Sequence, residues 1–248
     1  MTDAEETYIA RARRPHVALD LDSRRLKAIK IERLLDLAAR LQPMRMLEIG
    51  TGSGGIAHYF ATHPELRIDV DAVDVVDNRL ITDGYRFQLV SGTSLPFADQ
   101  TFDVVLTNHV IEHVGDQTEQ LQHLKEIRRV LGGDGVGYLA VPNRWMLIEP
   151  HYRLAFLSWW PHRWRTPYLR AMRKGQFYDC EPLQVRQLER LFAEASLRFR
   201  SLCVQSIRAT FEIERSRSIV ARLLRTIPDT SLALLQRVLP TLIYRFSR

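Results

Sequence analysis

The stretch LEIGTGSGG, residues 47–55, spaces glycines so that the backbone itself can do chemistry. Without a Cβ the chain turns sharply and its N–H groups approach a polar ligand. Where a helix starts just beyond, its dipole and free N–H groups face that ligand too. Read through Gly50, Gly52 and Gly55 the pattern is G-x-G-x-x-G. Read through Glu48, Gly50, Gly52 and Gly54 it is E-x-G-x-G-x-G. Asp74 follows Gly50 by 24 residues, where an acid ending a second strand accepts hydrogen bonds from ribose hydroxyls. A second set of candidates is imidazole. His109 and His113 lie in TNHVIEHV, and His151 in the aromatic run after Asn143. A histidine titrates near neutrality and suits removal of a proton from a hydroxyl nucleophile.

Elements must hold these groups in place. Leu26, Ile29, Leu34, Leu37 and Leu41 recur at near-helical spacing, with Asp22 or Ser23 as cap and Pro43 past the end. Residues 1–21 read as irregular. MRMLEIG is a short buried strand feeding the glycines, and GGIAHYFATH is the helix that follows. RIDVDAVDV and YRFQLVSG are further strands; TFDVVLTN has the apolar run of a strand buried on both faces. Leu121, Leu124, Ile127 and Leu131 mark a helix that GGDG stops, and VGYLAVPN is a fifth strand. Strands alternating with helices predict an α/β fold with a parallel sheet. PLQVRQLERLFAEASL reads as a helix, RFRSLCVQSIRATFEI as a long strand or a hairpin. Residues 216–227 and 230–246 read as two amphipathic helices. The chain divides into an N-terminal segment and helix (1–43), a ligand-binding core (44–143), an aromatic and basic insertion (144–182), the rest of the core fold (183–214) and a basic tail (215–248).

The glycines and Asp74 suit a dinucleotide or S-adenosylmethionine equally. Glu48 favours the second, because a carboxylate is better tolerated beside an ammonium and a sulfonium than beside a pyrophosphate. With SLPFADQTFDVVLTNHVIEHV, residues 94–114, and RRVLGGDGVGYLAVPN, the stretch 44–143 resembles class I S-adenosylmethionine-dependent methyltransferases. The nearest subset includes ubiquinone and menaquinone biosynthesis enzymes and many small-molecule or sugar methyltransferases. The resemblance implies a Rossmann-like, mostly parallel seven-stranded sheet with helices on both faces, plus an inserted aromatic lid. It implies that Glu48, Gly50, Thr51, Gly52 and Gly54 hold the methionine part, Asp74 the ribose, and Val75, Thr93, Ser94 and Leu95 the adenine. Asn108 and His109 would close the pocket beside the methyl group. Many relatives carry an aspartate just before LPF. Here the run is VSGTSLPF, so Ser91, Thr93 or a main-chain carbonyl must serve.

Methyl transfer from a sulfonium is an in-line displacement, so alignment of the reacting atoms and exclusion of water matter most. His113, His109 and His151 are the candidate bases. The tetrapeptides N-P-P-Y and D-P-P-Y are missing after the fourth strand, which argues against nucleic-acid amino groups as acceptors. PNRWMLIEPHYRLAFLSWWPHRW resembles bacterial methyltransferases associated with surface-polysaccharide and related glycan gene neighbourhoods. All four tryptophans fall there, where they can stack on sugars or pack the cover onto the body. Arg153, Arg163 and Arg165 suit a phosphate or carboxylate. The acceptor expected is therefore a glycan, a lipid-linked sugar or another small molecule. C-methylation of a quinone-type ring and a non-catalytic S-adenosylmethionine-binding module are the alternatives.

Composition narrows the setting. The formal charge of +6 arises within residues 215–248, which hold seven arginines and one acid, so the body is balanced and nucleic acid is not an expected partner. The tail's apolar stripes beside arginines fit packing on the body, a homodimer, or the inner membrane surface. Cys180 and Cys203 have no metal-ligand spacing, so no metal is expected, and two unpaired thiols suit a reducing cytoplasm. No secretory signal and no uncharged apolar run of about 18 residues is visible.

Overall fold

A computed structural model describes residues 21–149, 152–178, 180–214 and 226–248. Seven strands form one sheet: β1 (Met44–Ile49), β2 (Ile68–Asp74), β3 (Arg86–Leu89), β4 (Phe102–Asn108), β5 (Leu131–Pro142), β8 (Arg198–Ser201) and β9 (Thr241–Ser247). Their order is β3-β2-β1-β4-β5-β9-β8. The pairs β1–β2, β1–β4, β2–β3 and β4–β5 are parallel, whereas β9 runs antiparallel to both β5 and β8. This is the expected α/β, Rossmann-like arrangement. Strand order reverses at β1, where the chain first builds outward to β3 and then returns to β4. The crevice beyond the carboxyl ends of β1 and β4 is where open α/β sheets bind ligands.

Alternation along each strand makes two cores. Met44, Met46, Val104, Leu106, Val136, Tyr138 and Ala140 face one way. There they meet helices α1 (Leu21–Leu35), α2 (Gly55–Ala61) and α6 (Cys203–Ile213). Leu47, Ile49, Val105, Leu139 and Val141 face the other way, toward α3 (Gln117–Val130) and α5 (Val185–Glu194). α3 starts at a reciprocal cap, with Asp116 accepting from the Thr118 and Glu119 N–H groups and Glu119 accepting from the Asp116 N–H. α1 is fixed to α6 by the buried Lys30, whose Nζ lies 2.6 Å from Glu214 Oε1 and 3.0 Å from Thr210 Oγ1.

Four local expectations are corrected. Asp22 and Ser23 lie inside the first turn of α1 rather than capping it; Asp22 there complements the helix dipole. GGDG does not stop α3: the helix ends at Val130, Leu131 is already extended, and GGDG lies within strand β5, with a register shift between Phe102 and Val104. RFRSLCVQSIRATFEI is half strand and half helix: β8 stops at Ser201 and α6 begins at Cys203. The second tail helix does not exist as expected. Pro240 cannot continue a helix, and TLIYRFS beyond it is β9, buried between β5 and β8 with Leu242, Tyr244 and Phe246 in the core. Before it comes only α7 (Asp229–Leu234) and a short 3-10 turn. The stripe formed by Leu242, Ile243 and Phe246 is thus core of the sheet, not a surface for a membrane or a second copy. Most of the first tail helix, and residues 1–20, lie outside the described residues.

The insertion 144–182 folds over the carboxyl end of β5. It carries a two-residue ribbon, β6 (Ile148–Glu149) with β7 (Leu154–Ala155), and then α4 (His162–Ala171). Leu154, Leu157, Leu169, Tyr178 and Cys180 form a small core of its own. Its return is pinned to the body, since the Leu183 N–H donates to the Pro142 carbonyl and the Arg144 N–H to the Leu183 carbonyl.

Candidate active site

The glycine loop adopts a shape other residues resist. Gly50, Gly52 and Gly54 have φ of +77°, +56° and +80°. A Cβ on Gly50 would sit 2.3 Å from Val110 Cγ2, and one on Gly54 would sit 2.2 Å from the Ile81 carbonyl oxygen. Asp74 braces the loop: its Oδ2 accepts from the Gly52 N–H at 2.9 Å and its Oδ1 from the Val75 N–H at 2.8 Å. Just beyond, Val75 and Val76 are 57% and 55% exposed, an apolar pair on which a flat base can lie. The Val90 N–H donates to the Asp74 carbonyl, so the segment Ser91–Leu95 departs from beside Asp74. In that segment Thr93 is half-buried and Ser94 exposed, while Leu95 turns into the core and gives its N–H to Glu126 Oε2.

Glu48 is buried at the end of β1, and its Oε2 has no partner among the described residues. Burial pushes its carboxyl up to about 8. Arg24 and the Ala57 N–H oppose the shift, and Asp74 adds to it. Thr51 Oγ1, Ser53 Oγ and Asn108 Oδ1 are likewise buried without a hydrogen-bond partner among the described residues. Orphaned acceptors and hydroxyls in a glycine cradle fit a bound polar group carrying an ammonium and a carboxylate. Arg24 was not legible as a site residue in the sequence. Its Cβ lies where a side chain on Gly55 would come within 2.9 Å, and its charge acts on Glu48, which places α1 across the glycine loop.

After β4 the chain turns through His109, whose φ is +60° and whose N–H donates to the Ala140 carbonyl. A 3-10 turn, Ile111–His113, follows. His109 Nδ1 lies 3.2 Å from Oε1 of the buried Glu112. A carboxylate beside one ring nitrogen fixes the orientation of the imidazole. His113 lines a cleft of about 440 Å³ with Glu112, Asp116, Gln120, Arg144 and Glu181. The Glu181 N–H donates to the Glu112 carbonyl, so the insertion closes one side of this cleft. Burial lowers the pKa of Arg144, helped by Arg165, while Glu181 opposes it; Arg144 Nε has no hydrogen-bond partner among the described residues.

His109 and His113 are brought together with the loop at the carboxyl ends of the strands. His151 lies outside the described residues. Arg165 is not available to a ligand: it is buried, with Nε donating to the Trp160 carbonyl, Nη1 to Glu181, and its guanidinium 5.8 Å from the Tyr178 ring centroid. Arg153 and Arg163 are exposed on the insertion. Glu112, His113 and Cys180 bring a carboxylate oxygen, an imidazole nitrogen and a thiol sulfur within 4.8 Å of one another, a donor set that could hold a zinc-like cation. Sequence spacing hid this because Cys180 arrives through the folded insertion. His123 is a core residue by contrast: buried against Thr107, with burial holding it down to about 4, it stays neutral.

Residues 47–139 match the model of a methyltransferase domain family. The chain is 26% identical over 176 residues to the ubiquinone biosynthesis O-methyltransferase of Parvibaculum lavamentivorans, covering 65% of this chain and 61% of that protein. It is 32% identical over 110 residues to Rv3030 of Mycobacterium tuberculosis, named as a probable S-adenosylmethionine-dependent methyltransferase, covering 44% of this chain and 39% of that one. The chain therefore spans less than two thirds of the length of these curated relatives. The crystal structure of YcgJ from Bacillus subtilis shares the fold, with a TM-score of 0.51 at 17% identity over 89% of this chain and 98% of that one.

Proposed function

We propose that this chain, whose residues 47–139 match the model of a methyltransferase domain family, is a class I S-adenosylmethionine-dependent methyltransferase that methylates an oxygen of a small-molecule acceptor such as a glycan or lipid-linked sugar. The cofactor, when bound, supplies an electrophilic methyl group on a sulfonium. Gly50, Thr51, Gly52 and Gly54 shape the cradle for its methionine part, and Glu48 accepts from the ammonium. Asp74 accepts from the ribose, Val75 packs on the adenine, and Thr93 and Ser94 border it; Leu95, expected there too, instead lies in the core with its N–H and carbonyl held by Glu126 and Arg129. Asn108 closes the pocket at the methyl end. His109, steadied by Glu112, takes the acceptor's hydroxyl proton, and His113 lines the path to it.

The observation that carries this reading is the cleft of about 440 Å³ between the turn after β4 and the returning insertion. It sets a polar, partly enclosed chamber against the His113 imidazole and the Glu112 that steadies His109, which suits alignment of a hydroxyl more than recognition of a polymer. The relative named as a ubiquinone biosynthesis O-methyltransferase supports oxygen as the acceptor atom and adds hydroxylated quinone-type rings to the acceptors worth assaying. The test is transfer of carbon-13 from labelled S-adenosylmethionine to a panel of hydroxylated sugars, lipid-linked sugars and quinols. The methyl shift separates O- from C-methylation. Cofactor binding without transfer to any of them would favour a binding module instead.

A further inference from the structure

The insertion presents a second surface, next to the cleft but outside it. Trp145, Leu147, Ile148, Phe156 and Trp159 are between 36% and 59% exposed. They touch: Trp159 packs edge-on to Trp145 at 5.4 Å and to Phe156 at 5.2 Å between ring centroids, and the Phe156 N–H pairs with the Leu147 carbonyl. Trp160 and Trp164 extend the patch into α4, at 46% and 53% exposed. Phe156 has φ of +58°, a conformation costly for a bulky residue, and it holds an apolar ring toward solvent. The small core of Leu154, Leu157 and Leu169 lies beneath, so the segment has its own support.

The charges around the patch share one sign. Residues 152–178 contain six bases and no acid. Of these, Arg165 is buried, and Arg153, Arg163, Arg170, Arg173 and Lys174 are exposed. Of the flanking acids, Glu149 is buried and Glu181 is engaged by Arg165 and His162; Asp179 lies outside the described residues. Among the described residues no helix is long and apolar enough to cross a membrane.

We propose that this aromatic and basic face docks the protein on an anionic phospholipid bilayer. Tryptophan and phenylalanine enter the headgroup region, where an amphipathic ring is at home, and the arginines and lysine meet the lipid phosphates. The tail's own apolar stripe, being partly β9, is not needed for this contact. Because Arg144 lies over the Trp145 ring and also lines the cleft, a docked molecule would hold its cleft at the lipid surface.

The four tryptophans of the chain all lie between residues 145 and 164, so tryptophan emission, excited beyond the tyrosine absorption band, reports on this face alone. The full chain is titrated with vesicles of phosphatidylcholine, and of phosphatidylcholine with an equal share of phosphatidylglycerol. The expected result is a blue shift only with the anionic vesicles, quenched by brominated acyl chains. In vesicle sedimentation, Arg163→Gln with Lys174→Gln should weaken partitioning about 25-fold, at roughly fivefold per base. Phe156→Ser with Trp159→Ser should weaken it at least as much. Circular dichroism confirms that both variants fold. No shift with anionic vesicles, or sedimentation unchanged in both folded variants, would overturn the proposal. So would a fluorescence change that follows protein concentration without lipid, which would assign the face to a second copy of the chain.

Discussion

Glu48 makes ligand binding a proton-release reaction. Its carboxyl is 2% exposed and burial pushes it up to about 8. At pH 7 roughly nine-tenths of the free protein carries the proton on Glu48. A ligand ammonium beside Glu48 favours the ionised form and returns the carboxyl to its ordinary range. Binding of S-adenosylhomocysteine at pH 7 should then release about 0.9 proton, falling to about 0.5 at pH 8. Affinity should rise about tenfold per pH unit from roughly pH 5 to pH 8 and then level off. The sign for stability follows from the same carboxyl. A raised acid pKa means that the folded, ligand-free protein binds the extra proton, so its stability falls as pH climbs toward 8. The assay is calorimetric titration in phosphate and in Tris at one pH; the dependence of the apparent enthalpy on buffer ionisation gives the protons released. Glu48→Gln should abolish the buffer dependence, flatten the loss of stability with pH, and weaken binding at pH 8 by about 10- to 100-fold, the worth of one charge-assisted hydrogen bond. Equal enthalpies in the two buffers for the wild type, or an unchanged slope in Glu48→Gln, would refute the reasoning.

Three other perturbations separate the parts. Asp74→Ala removes the acceptor for the Gly52 and Val75 N–H groups as well as for the ribose, and should weaken S-adenosylhomocysteine by about 100-fold or more in the same titration. Glu112→Gln should lower turnover about 100-fold, the lower end for loss of an acid–base group, and leave calorimetric affinity for S-adenosylhomocysteine within about threefold of the wild type. Gly137→Ala would put a Cβ 1.9 Å from the Phe246 ring. It should cost about 1–3 kcal/mol by overpacking, lowering Tm by roughly 3–10 °C; adding Phe246→Leu should restore part of the loss, as read by thermal melts.

The loop, the strands β1, β2 and β4, and helix α3 were legible because their signals are local. Glycine spacing, alternation, a 3.6-residue period and Asp74 at a strand end need no knowledge of distant residues. β9 was not, because Leu239, Leu242, Ile243 and Phe246 satisfy a helical stripe as well as a strand. Only Pro240, together with the aromatic and β-branched content of TLIYRFS, favours the strand, and its slot between β5 and β8 decides it. Arg24 and Cys180 join the site through long-range packing of α1 and of the insertion, which no spacing encodes. Arg165 shows the reverse error: a basic residue among aromatics reads as a ligand contact, yet its burial makes it a brace for Glu181 and the Trp160 carbonyl.

The slot filled by β9 also orders events during synthesis. Once β5 has emerged, its free edge waits for a strand made about one hundred residues later, an interval of roughly 5–20 s at ordinary elongation rates. Until Leu242 and Tyr244 arrive, the backbone from Gly137 to Pro142 offers unpaired hydrogen-bonding groups beside an apolar face. The nascent sheet therefore passes through a state whose open edge, β5, becomes an interior strand only when the last-made strand, β9, docks beside it.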